Sequence, residues 1–224
     1  MSEAPDGAAA TGKIRVWDAP TRIAHWLLVL LIPTSWWAAE VAHRLDWHRW
    51  SGYAILGVVV FRLYWGLAGA ETSRFAHFVR GPGTILAYLQ GRAPHRPGHN
   101  PLGALSVLAL LGLLAAQATF GLFAVDIDGL ESGPLSDRVS FDVGRQFAHW
   151  HHLTFNLLLG LIVLHLGAIG VYALRRRNLV RPMITGRAEA PGEDIRPAPL
   201  WRLALGLVLA VGAAWLISKG LRLR

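Results

Sequence analysis

Apolar side chains in this chain fall into long blocks rather than the short alternations of a soluble fold. Five blocks reach or approach the roughly 20 predominantly apolar residues needed to cross a bilayer. They cover residues 23–42, 48–70, 102–125, 147–174 and 203–218. The first contains Pro33, which predicts a kink. The second is interrupted by Arg49 and Arg62, and the third carries no charge. The fourth is chargeless throughout and long enough to project beyond the membrane at one end. The fifth is the shortest, and Arg202 and Lys219 at its ends are placed to snorkel to the headgroups. The pattern predicts an all-α integral membrane protein.

The connections add little apolar surface. Residues 1–15 read as a disordered cytoplasmic N-terminus; they lack the basic start and apolar middle of a signal peptide, so the first span is expected to be retained. Residues 72–100 contain Gly81-Pro82-Gly83 and a short apolar stretch at 85–89, read as an interfacial helix. Residues 126–146 are acidic and rich in Gly, Ser and Asp, and read as an exposed loop.

Composition agrees with this picture: 53% of the 224 residues are hydrophobic and only 16% charged. The absence of cysteine excludes disulfides, cysteine-ligated iron–sulfur clusters and covalently attached c-type haem. The net charge of +8 does not indicate nucleic acid, because Lys and Arg are scattered in short clusters between apolar blocks. Placing the N-terminus inside puts 15 of the 22 basic residues on the cytoplasmic side, among them Arg74, Arg80, Arg92, Arg96 and Arg175 to Arg177. The positive-inside rule then predicts a cytoplasmic N-terminus and a periplasmic C-terminus.

Histidines carry the candidate chemistry, since ionisable groups inside a bilayer are costly and mark functional sites. His25, His149, His151, His152 and His165 lie in predicted spans, and His48 opens one. His151 and His165 are fourteen residues apart, so they differ by about 40° around a helix and about 21 Å along it. His149 and His152 miss the face of His165 by about 160° and 140°. One helix therefore offers an imidazole near each membrane surface. With the predicted topology, His25 is level with His165 on the cytoplasmic side and His48 is level with His151 on the periplasmic side. Two stacked His–His pairs match two six-coordinate haems, each iron taking one axial ligand from either side. Arg62 returns to the face of His48 fourteen residues later and is a candidate partner for a haem propionate, with Arg22, Arg49 and Arg145 as further candidates. An arginine snorkelling to lipid headgroups is the competing reading. The tryptophans, including Trp26, Trp36, Trp37, Trp47, Trp50, Trp65, Trp150 and Trp201, read mostly as an interfacial aromatic belt.

The segment Arg22-Ile23-Ala24-His25-Trp26 resembles the first-helix motif of the bacterial cytochrome b561 and nickel–iron hydrogenase cytochrome b subunit family. His48-Arg49-Trp50-Ser51-Gly52-Tyr53 with Phe61-Arg62-Leu63 resembles its second helix, and Trp150-His151-His152 with His165 its fourth. The resemblance spans residues 16–187 and implies a four-helix transmembrane diheme domain there. Residues 188–224 then form a linker and an extra C-terminal transmembrane helix outside the shared unit. The family's ligand positions fall on His25, His48, His151 and His165. The resemblance implies two b haems and electron transfer between the quinone pool, on the cytoplasmic side, and a partner. His152 stands where relatives commonly carry an acidic residue.

The leading expectation is therefore a respiratory electron carrier of the bacterial inner membrane. It would link quinone to a periplasmic c-type cytochrome or to a dehydrogenase or hydrogenase subunit, with the acidic 126–142 loop as a docking surface. A second class, a superoxide:quinone oxidoreductase without a protein partner, would use outer cations such as Arg49, Arg138 and Arg145. A haem-free transporter is a third and leaves the fourteen-residue phase match without explanation. The extra helix is open to three roles: partner binding, homodimer formation or shielding of the bundle. No quinone pocket is legible in the sequence.

Overall fold

A computed structural model describes residues 12–92, 98–128 and 131–222 of the chain. His95 and Arg96, Arg224, and residues 1–11 of the expected disordered tail lie outside the described residues. Residues 12–15 are not disordered: Gly12–Arg15 forms strand β1. It pairs antiparallel with β2, Arg187–Ala190, in the register Gly12↔Ala190 to Arg15↔Arg187. The boundary expected at 187/188 therefore falls inside a paired strand. Gly186, at a left-handed φ of 80°, accepts from the backbone N–H groups of Val16 and Trp17 and locks this ribbon to the chain entering the first helix.

Helix α1, Ala19–Glu40, begins at Asp18, whose carboxylate accepts from the Thr21 N–H at 3.1 Å, with Pro20 in the first turn. It continues through Pro33. Four residues later α2, Leu45–Ala68, returns alongside it. A 3₁₀ turn at Glu71–Ser73, the short helix α3 (Phe75–Phe78) and α4 (Pro82–Leu89) make up the next connection. Helix α5, Pro101–Phe123, is capped by the Asn100 side chain accepting from Gly103 at 2.7 Å. After a second 3₁₀ turn, Ser136–Arg138, α6 covers Phe141–Leu174. It starts six residues before the apolar block, because Ser140 caps it and Asp142 suits the positive end of the helix dipole. Its 34 residues span about 51 Å, well beyond the hydrocarbon thickness. The short α7, Val180–Thr185, leads into β2, and α8, Leu200–Ser218, is the last described element.

Among the described residues, α2, α5, α6 and α8 are long and apolar enough to cross a membrane. Helix α1 has comparable length, but Arg22, His25, Thr34, Ser35 and Glu40 make it more polar, and it is not among the four. The bundle core is Val59, Leu114 and Leu158, one residue each from α2, α5 and α6, with Leu28 and Ile32 of α1 packed against them. Leu158 lies seven residues from both His151 and His165, so this layer separates the two histidine levels. Apolar side chains such as Leu157, Val163, Leu164, Val208 and Val211 face outward, as a hydrocarbon solvent requires.

Helix α8 packs along α2 of the same chain. Gly206 makes the approach possible, since a Cβ there would stand 2.8 Å from a Tyr64 ring atom. The Arg202 guanidinium donates to the Ala68 carbonyl at one end. At the other, Arg138 donates to the Gly220 carbonyl at 3.2 Å and Arg222 pairs with Asp137. Most of the tryptophans expected in a belt face outward, but Trp65 does not. It is 1% exposed, stacks on Phe61 and donates its indole N–H to Asp18 at 2.7 Å. Its position on the buried side of α2, facing α1 and α8, overrides the aromatic preference for the membrane interface.

Candidate functional site

The first turns of α2 carry His48 toward α6, where His151 meets it with ring centres 6.0 Å apart and planes at 88°. Each ring is oriented through Nδ1. His48 Nδ1 lies 3.0 Å from the Ser35 carbonyl and 3.1 Å from its hydroxyl, and His151 Nδ1 donates to the Gln117 carbonyl at 2.9 Å. A proton on Nδ1 leaves Nε2 with its lone pair, the state a metal ligand requires. Consistently, the Gln117 side-chain amide lies 3.2 Å from His151 Nε2, while its carbonyl oxygen accepts from the Thr154 hydroxyl. Gly121 on α5 gives the His151 ring its place: a Cβ there would stand 2.9 Å from the ring.

At the opposite end of the bundle, α1 supplies His25 and α6 supplies His165, within electrostatic reach of one another. His25 Nδ1 is buried without a partner, and its ring meets Trp26 edge-on at 5.2 Å. Arg62 of α2 lies within reach of His25, is only 6% exposed, and has one terminal nitrogen, Nη1, unpartnered. Asp18 is close enough to Arg62 to interact. Its oxygens, however, already accept from Thr21, Ser73 and Trp65.

Arg49 and Arg145 differ from Arg62, whereas Arg22 shares with it one buried nitrogen, Nε, that has no partner. Arg49 pairs with Glu131 at 2.7 Å, Arg145 donates to the Val125 carbonyl at 3.0 Å, and Arg22 donates to the Ile184 carbonyl. These contacts also engage two carboxylates of the acidic loop, Glu131 through Arg49 and Asp137 through Arg222. His152 lies beside His151 with ring centres 6.4 Å apart.

The His48–His151 pair is chemically suited to a haem iron. Among the described residues no three His, Cys, Asp or Glu side chains converge as a metal site. What the protein offers is pairs of imidazoles, which suit an iron whose remaining four ligands come from a porphyrin. The 6.0 Å between His48 and His151 suits metal–nitrogen bonds of about 2 Å on either side. The unpartnered Nη1 of Arg62 matches a carboxylate acceptor that the protein itself does not provide.

Three features escape a sequence reading. Ser35 and Gln117 orient the His48 and His151 imidazoles from other helices; Gln117 is visible as an amide inside a chargeless span, but nothing in the sequence pairs it with His151. His99 lies just before α5, with its ring 4.5 and 4.6 Å from those of Trp17 and Phe78, and within electrostatic reach of Arg62. A groove of about 280 Å³ runs between α1 and α7 at the His25 end of the bundle, lined by Ile23, Leu27, Leu30, Met183 and Ile184 with Arg22 and Trp26. The Trp26 indole closes one side by donating to the Met183 carbonyl at 3.0 Å.

The chain is 24% identical to a protein of Cupriavidus necator named "Probable Ni/Fe-hydrogenase B-type cytochrome subunit", over 81% of this chain and 91% of the relative. Proteins of the same name from Azotobacter chroococcum and Azotobacter vinelandii are 24% and 23% identical, over 75% and 77% of this chain and 82% and 87% of theirs. No solved structure matches the chain at a significant level. Residues 16–186, from just after β1 through α7, match the family described as prokaryotic cytochrome b561. The chain belongs to the prokaryotic cytochrome b561 family, membrane electron-transfer proteins whose cofactor is haem b.

Proposed function

We propose that this protein is a diheme b-type cytochrome that passes electrons across the bacterial inner membrane between quinone and a periplasmic redox protein. The partner class best supported is a hydrogenase, because the curated relatives carry that name. His48 and His151 hold the outer haem; His25 and His165 hold the inner one. The observation that carries this reading is α6, which presents one imidazole to each end of the bundle with the Val59–Leu114–Leu158 layer between them. When bound, haem would supply a one-electron iron couple; the histidines would hold it, and Ser35 and Gln117 orient His48 and His151 through Nδ1.

In this reading α1 joins α2, α5, α6 and α8 as a fifth span, with the N-terminus cytoplasmic and the C-terminus periplasmic. The groove between α1 and α7 supports entry of a quinone from the lipid beside His25, with apolar walls for the ring and tail. The superoxide reading gains no support: Arg49, Arg138 and Arg145, the cations it would use, are each bonded within the protein.

The test is haem stoichiometry by pyridine haemochrome, with reduced-minus-oxidised spectra, on purified parent, His25→Ala and His48→Ala. Two b haems in the parent, with a different one missing from each variant, is the expected result. A colourless parent after expression with ample haem, or variants that lose the same haem, would overturn the assignment.

A further inference from the structure

The inner end of the bundle gathers buried nitrogens with nothing to bond. His25 Nδ1, Arg62 Nη1 and His99 Nδ1 all lack a hydrogen-bond partner. Leaving one such group unsatisfied costs about 1–3 kcal/mol, more for a charged one, so a neighbourhood of them implies a missing acceptor. Arg62 lies within electrostatic reach of both imidazoles. The nearby protein carboxylate, Asp18, is already bonded to Thr21, Ser73 and Trp65. The His99 ring packs against both Trp17 and Phe78.

We propose that Arg62 and His99 together form a carboxylate-binding site, occupied by a propionate of the inner haem. The proposal rests on the reading of His25 and His165 as the ligands of that haem. Arg62 supplies the positive charge and a terminal N–H, and His99, just before α5, supplies a neutral N–H. Burial, reinforced by the Arg62 guanidinium, pushes His99 down to about 4, so in the unliganded site it is neutral near pH 7. Pairing the propionate removes its stabilisation of ferric iron, so the clamp both retains the haem and raises its potential. His99 lies outside α1, α2 and α6, which makes the segment before α5 a positioning element for the inner haem.

The test uses the full chain purified with its haems, as parent, Arg62→Leu, His99→Leu and the conservative variants Arg62→Lys and His99→Asn. Haem stoichiometry and the two midpoint potentials are read by redox titration. Both Leu variants should lower the potential of the inner haem or lose that haem, with the outer haem unchanged as an internal measure of folding. The Lys and Asn variants should recover most of the parental value. Two haems with parental potentials in both Leu variants, or a shift confined to the outer haem, would overturn the clamp while leaving the diheme reading intact. Should Arg62→Leu not fold, His99→Leu against His99→Asn decides the matter alone. Parental potentials that follow added inorganic phosphate would put a solvent anion in the site and overturn the propionate. A parent with fewer than two haems, or His25→Ala with both, would instead remove the reading on which the clamp rests.

Discussion

Replacing Gly121 by alanine isolates the fit of His151, the proposed ligand of the outer haem, from the stability of the helix that supports it. A Cβ at this position would lie 2.9 Å from His151 Cε1 and 3.1 Å from Nδ1. Carbon atoms pack best at about 3.5–4.0 Å, so the ring must retreat by about 0.6–1 Å or α5 and α6 must part. Either movement disturbs the 2.9 Å bond from His151 Nδ1 to the Gln117 carbonyl. Overpacking of this kind costs about 1–3 kcal/mol, and loss of a group that orients a metal ligand typically weakens metal binding about 10–100-fold. Gly112, on the same helix, has nothing within 4 Å of its virtual Cβ and provides the control. Gly112→Ala should stabilise α5 by about 0.5–1 kcal/mol through helix propensity and leave the haems untouched. Haem content per polypeptide and redox titration of both variants make the comparison. The expected result is loss or altered potential of the outer haem alone in Gly121→Ala, with a parental profile in Gly112→Ala. Two fully occupied haems with unchanged potentials in Gly121→Ala would refute the contact on which the argument depends.

Further outcomes follow from contacts elsewhere. Asp18→Ala removes the α1 cap and leaves the Trp65 indole and Ser73 hydroxyl without their acceptor; thermal unfolding in detergent should show a loss of about 2–4 kcal/mol. Tyr88 is pushed up to about 12 by burial and then by its 2.8 Å bond with Tyr172, so the fold favours the neutral phenol. Stability should therefore be flat to about pH 10 and fall between about pH 10 and 12 as the unfolded chain ionises, and Tyr88→Phe should flatten that limb in a pH series of melting temperatures. Asp137→Asn breaks an exposed pair with Arg222 and should change stability by less than about 1 kcal/mol in the same assay. Asp128→Asn with Asp142→Asn should slow electron exchange with a cationic periplasmic partner in a salt-dependent way, and rates insensitive to ionic strength would remove the loop from docking.

Much of the helical layout was legible because a bilayer imposes length and polarity on each segment, and those are local properties of a chain. The blocks at 48–70, 102–125, 147–174 and 203–218 correspond to α2, α5, α6 and α8 with ends shifted by a few residues. The shifts arise at caps: Ser140 starts α6 earlier than hydropathy alone suggests. The common face of His151 and His165 was equally readable, since rise and rotation per residue are constant within one helix.

Contacts between distant segments were not. The pairing of β1 with β2 joins residues about 175 apart, and neither strand is long or apolar enough to announce itself. Trp65 reads as an interfacial aromatic until α1 and α8 cover it, and Arg49 reads as a propionate partner until Glu131 meets it. Gln117, Ser35 and His99 gained their roles only when other helices brought them to the imidazoles and to Arg62. By itself the sequence determined which segments are helical and apolar and which histidines share a face, because backbone geometry and burial preference act residue by residue. The tertiary structure alone decided which side chains orient those histidines, which arginines keep an unpartnered nitrogen and where α8 lies, because these depend on packing between helices far apart in the chain.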